Sequence, residues 1–99
     1  MKKEPVKEKW VKQQVVKMLK AKNVYYFFPV AGAYTGIGVP DIIACIKGRF
    51  VGIECKAGTN RPTELQRKNL RAICDNGGIP IVVNENSLEE LEQRLDTLT

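Results

Sequence analysis

Residues 38–56, GVPDIIACIKGRFVGIECK, decide how this chain folds. Two apolar, β-branched runs, Asp41 to Ile46 and Val51 to Lys56, flank a Lys47-Gly48-Arg49 turn, which predicts a β-hairpin. Side chains alternate along a strand. Asp41, Ile43 and Cys45 therefore share one side of the first run, and Gly52, Glu54 and Lys56 share one side of the second. Directly opposed residues of a hairpin point the same way, so loop length decides what faces Asp41. A two-residue Lys47-Gly48 turn sets Asp41 opposite Glu54, and a four-residue turn sets it opposite Lys56. A three-residue loop faces it with Cys55 and splits the charged group unless a bulge restores the parity. Gly48 at the second turn position suits the two-residue form, with Lys47 at positive φ as a mild cost.

An acid, a gap of twelve residues, a second acid and a lysine two positions on is a set that can hydrolyse a phosphodiester with a metal ion. Two carboxylates hold a hard cation through oxygen, and the lysine serves the attacking water or the charged transition state. The plainer alternative is the polar face of a half-exposed sheet. Against it, the runs are apolar on both faces, as in strands covered on both sides. Acids and a lysine on such strands need partners, and a cation is one.

The chain has no histidine, which excludes Ser-His-Asp and Cys-His catalysis, histidine zinc sites and any histidine general base. Its 99 residues make one small domain, 1–99, of ordinary soluble composition with 43% hydrophobic residues. The lysine-rich, amphipathic N-terminus lacks the apolar run of a signal peptide or membrane span. Cys45, Cys55 and Cys74 are odd in number, lack metal-ligand spacing and fall in apolar runs. They are expected to be buried free thiols in a reducing, cytoplasmic setting. The net charge of +5 is unevenly spread. Residues 1–74 hold fifteen Lys and Arg against five acids, and residues 75–99 hold Arg94 against six. That basic segment predicts a polyanionic partner.

Pro5 suits a first helical turn, and the stripe Val11, Val15, Met18 and Leu19 predicts a helix to about Lys22. Glu8 falls on that stripe, either as an acid complementing the helix dipole or as a third acidic site residue facing the sheet. Val24 to Val30 is aromatic and β-branched, a strand belonging to the core or to a dimer surface, with base stacking as the alternative. Residues 31–38 form a glycine-containing loop without a P-loop ending. A helix from about Thr63 to Asn76 follows, ended by Gly77-Gly78, with Gln66, Asn69, Leu70 and Ile73 on its inner face. Gln66 either completes a Thr63-x-x-Gln66 capping box or points into the cleft. Ile79 to Val83 is a strand, and Ser87 caps an acidic helix over 88–96.

This order of helix, three strands, helix and strand, with Pro40-Asp41 on the second strand and Glu54-Cys55-Lys56 on the third, resembles the PD-(D/E)XK nuclease fold. Gly36-Ile37-Gly38-Val39-Pro40-Asp41, Gly52-Ile53-Glu54-Cys55-Lys56, Gln66 and Gly78 together resemble a stand-alone, phage-type VRR-NUC domain over nearly the whole chain. The resemblance implies an α/β restriction-endonuclease-like αβββαβ core, its mixed sheet flanked by helices, plus a C-terminal helix. It implies Mg²⁺ or Mn²⁺ held by Asp41, Glu54 and the backbone carbonyl of Cys55. It makes Lys56 catalytic, Gln66 a site residue and Glu8 the first-helix acid. Small stand-alone members are similar to Holliday-junction resolvases and act as homodimers. The expected function is thus a metal-dependent DNA endonuclease, structure-selective on branched DNA. The alternatives are a nicking or single-strand-selective nuclease, or a non-catalytic nucleic-acid-binding or inhibitor protein.

Overall fold

A computed structural model describes residues 5–30 and 36–99. Part of the glycine-containing loop, residues 31–35, lies outside the described residues. The chain runs α1 (Glu8–Ala21), β1 (Tyr25–Phe27), β2 (Ile42–Ile46), β3 (Arg49–Cys55), α2 (Glu64–Asp75), β4 (Ile79–Val83) and α3 (Leu88–Leu98). The four strands form one mixed sheet in the order β1-β2-β3-β4, antiparallel except for the parallel β3–β4 pair. That parallel pair needs a crossover, and α2 supplies it.

The turn between β2 and β3 takes the two-residue form. Lys47 (φ 51°) and Gly48 (φ 81°) both adopt positive φ, the signature of the hairpin turn whose twist matches its strands. Pairing then runs without a bulge from Ile46↔Arg49 to Ile42↔Ile53. One step further, Asp41 stands across from Glu54.

One face of the sheet carries the core. Ile42, Ala44, Ile46, Val51, Ile53, Cys55, Ile81 and Val83 pack with Val11, Val15 and Leu19 of α1 and Leu91 and Leu95 of α3. Each fully buried aliphatic side chain contributes about 1.5–3 kcal/mol. On the other face α2 lies over β3 and β4. Its approach depends on Gly52, where a Cβ would meet Ile73 Cδ1 at 2.6 Å and Pro40 Cγ at 3.1 Å. Gly38 has less room to adjust, because φ is +85° and a Cβ would sit 2.8 Å from the Leu65 main chain rather than from a side-chain tip. Gly38→Ala therefore combines left-handed strain with a backbone clash. It should lower stability by about 3 kcal/mol and Tm by more than about 10 °C. Gly48→Ala has similar φ but open space around it, so thermal melts should show a drop of about 1 kcal/mol.

Several expectations need correction. α1 begins at Glu8 with Lys7 as N-cap, so Pro5 precedes the helix and is not its first residue. Ser87 occupies the N-cap of α3, but its Oγ accepts from the Asn84 N–H and makes no cap bond. The strand foreseen over Val24 to Val30 shrinks to three residues, with Val24 and Tyr26 against the core and Tyr25, Phe27, Phe28 and Val30 exposed. Only Cys55 of the three free thiols is buried. Cys45 is exposed because α2 covers β3 and β4 and leaves β2 open, and Cys74 lies near the exposed end of α2. No described helix is long and apolar enough to cross a membrane.

Candidate active site

Asp41 immediately precedes β2, and its Oδ2 accepts the Cys55 N–H at 2.8 Å. That bond ties the start of β2 to the end of β3 and holds the Asp41 carboxylate beside Glu54. Glu54 is 2% exposed, with Oε1 receiving Gln66 Nε2 at a long 3.4 Å. Its other oxygen, Oε2, is buried without any hydrogen-bond partner. Lys56 follows β3 directly, where its N–H donates to the Val83 carbonyl at 2.8 Å and continues the parallel pairing. Its side chain is 11% exposed, and Nζ lies 3.6 Å from Glu8 Oε1.

The helical-wheel expectation that Glu8 lies on a buried face fails, since its side chain is 47% exposed. Glu8 is the first residue of α1, so no preceding turn covers it. It nevertheless reaches the site, through Lys56, while also serving as the acid in the first helical turn.

Both readings of Gln66 apply together. Its Oε1 accepts the Thr63 N–H at 2.9 Å and its own N–H donates to Thr63 Oγ1, a complete capping box. The amide nitrogen left over is the group that reaches Glu54. One side chain starts the helix and touches the site.

Electrostatics mark Glu54 as the strained group. Burial, then the neighbouring Asp41 carboxylate, push its carboxyl up to about 8, against the pull of Lys56. Burial likewise pushes the Cys55 thiol up to about 12, so it is neither a ligand nor a nucleophile at neutral pH. Its side chain lies in the core, and only its main chain belongs to the site.

Among the described residues no cluster of three or more His, Cys, Asp or Glu side chains is arranged to hold a metal. Any cation here would rest on two carboxylates and a main-chain carbonyl. That set fits a hard ion, being all oxygen and including the orphaned Glu54 Oε2. Glu85 carried no signal in the sequence, yet its two oxygens accept the Gly58 N–H at 2.9 and 3.0 Å and steady the loop after Lys56. A lone acid after a strand has no spacing to reveal such a role.

Comparison of the chain with family models, curated proteins and solved structures returned no match.

Proposed function

We propose that this chain is a metal-dependent DNA endonuclease of the PD-(D/E)XK type, built as a VRR-NUC-like domain. The observation that carries it is the buried Glu54 carboxyl with its unpartnered Oε2, on which the charges of Asp41 and Lys56 both act. Buried carboxylates without partners are unfavourable, and an ion of opposite charge relieves them. Asp41, Glu54 and the Cys55 carbonyl would hold Mg²⁺ or Mn²⁺. When bound, that ion supplies positive charge to the scissile phosphate and acidifies water. Lys56, steadied by Glu8, holds the attacking water or offsets charge developing on the phosphate. Gln66 orients Glu54. Lysines and arginines outside the site contact the phosphate backbone, giving affinity without sequence readout.

The preferred substrate in this proposal is branched DNA, cut by a homodimer that presents two sites related by a twofold axis. The exposed Tyr25 and Cys45, paired across β1 and β2, with the exposed Phe27 on the same sheet face beyond α2, offer the dimer surface. Three free thiols, two of them exposed, suit a reducing cytoplasm. A nicking or single-strand-selective nuclease uses the same chemistry. The discriminating experiment is cleavage of single-stranded, duplex, flap and four-way-junction DNA in Mg²⁺ and Mn²⁺, with sedimentation at micromolar concentration. Cutting is expected in both metals and absent in EDTA, while Ca²⁺ supports binding with little cleavage. Efficient cutting in EDTA or Ca²⁺ overturns the metal assignment. Binding without cutting on every substrate favours the non-catalytic alternative, and a strict monomer that resolves junctions symmetrically sinks the dimer.

A further inference from the structure

The flank of α1 beside its buried stripe carries Lys9, Lys12, Lys17 and Lys20 at helical spacing. They line a groove of about 490 Å³ together with Val16 and Phe28. Phe28 is 46% exposed, and Lys12 Nζ lies 4.3 Å from the centre of its ring. Trp10, Phe27 and Phe50 are exposed to a similar degree, but among the described residues Phe28 is the aromatic that a lysine ammonium covers. Among the described residues none of these four lysines pairs with a carboxylate, and Glu8, the one acid of α1, is turned to Lys56. The groove therefore presents concentrated positive charge next to a flat apolar ring.

We infer that this groove holds an unpaired strand of nucleic acid, with phosphates on the lysines and a base stacked on Phe28 where Lys12 now lies. The inference rests on the nuclease proposal for its setting. Lys9 adjoins Glu8, which touches Lys56, so a strand along α1 runs into the cleft. Lys9 to Lys20 spans about 16 Å of helix, enough for a few nucleotides. A duplex keeps its bases stacked on one another and has no free ring face for Phe28, so single strands are preferred. An anionic membrane is the rival polyanion. The buried stripe of α1 is committed to the core, which leaves Trp10 as its exposed large apolar side chain, so vesicle binding tests this rival directly.

Binding of a short fluorescent oligothymidylate, of a duplex of equal length and of anionic phospholipid vesicles is measured on the full chain in EDTA, across a salt series. Phe28→Ala should weaken single-strand binding by about tenfold and leave duplex binding unchanged. Lys17→Gln with Lys20→Gln should flatten the slope of log affinity against log salt by about 1.4 for the single strand. Both lysines are exposed, so this variant decides the matter if Phe28→Ala fails to fold. The inference is overturned if Phe28→Ala stays within about twofold of wild type, if duplex binding falls equally, or if vesicles bind with the same Phe28 dependence. Cleavage plays no part in this readout. A chain that binds through Phe28 and never cuts keeps the groove and loses the nuclease proposal, and one that cuts but ignores Phe28 does the reverse.

Discussion

Replacing Asp41, Glu54 or Lys56 with alanine should lower DNA cleavage by about a thousandfold or more while leaving most DNA affinity in place. In the proposed mechanism these residues act where charge develops in the transition state, and affinity comes from lysines elsewhere on the surface. Each change has a structural side effect that must be separated from the chemistry. Asp41→Ala leaves the Cys55 N–H without its acceptor, at a cost of about 1–3 kcal/mol. Asp41→Asn keeps an oxygen for that bond and should be equally inactive but better folded. Lys56→Ala releases the exposed Glu8 but also removes a buried stem and the cation beside Glu54, a stability cost that Lys56→Met separates from the chemistry. Gln66→Glu preserves the capping box yet sets a second negative charge against Glu54, so helix stability should hold while activity falls. Near-wild-type single-turnover rates in any one of these variants would remove that residue from the mechanism.

Without added metal, Glu54→Gln should be more stable than the wild type at pH 8. The sign follows from the Glu54 carboxyl, which is raised from 4.5 to about 8 in the folded chain. Between those values the unfolded chain has lost the proton and the folded chain still holds it. Wild-type stability therefore falls as pH rises from about 4.5 and levels off above about 8. Glutamine cannot ionise, so the two melting curves should coincide near pH 4 and separate by on the order of 10 °C by pH 8. Mg²⁺ should close that gap by stabilising the wild type alone, and more at pH 8 than at pH 5.5, where a proton competes for Glu54. Parallel pH profiles for the two proteins would show that Glu54 carries no such strain.

Much of this was legible from local rules. The hairpin parity follows from a two-residue turn and period-2 alternation, so the placement of Asp41 across from Glu54 needed no tertiary information. The helix ended by Gly77 and opened by Thr63 was equally local. What escaped depends on how far neighbouring elements extend. The wheel that placed Glu8 on the buried stripe cannot show that α1 starts there and leaves it uncovered. Cys45 sits in an apolar run, but its exposure is decided by α2 lying over the other half of the sheet. The two roles of Gln66 looked exclusive in sequence because each was assigned to the whole side chain. Its oxygen and nitrogen take one apiece.

That division has a consequence in time. The first turn of α2 cannot fray without withdrawing the amide from Glu54, so the opening rate of one helical turn becomes the rate at which the site loosens. Helix ends are ordinarily the quickest parts of a fold to open, and this one is wired to a buried carboxylate. Amide hydrogen exchange at Gln66, whose N–H is held by Thr63, would report the motion directly. A ligand that engages Glu54 should slow that exchange even though it touches no part of the helix backbone.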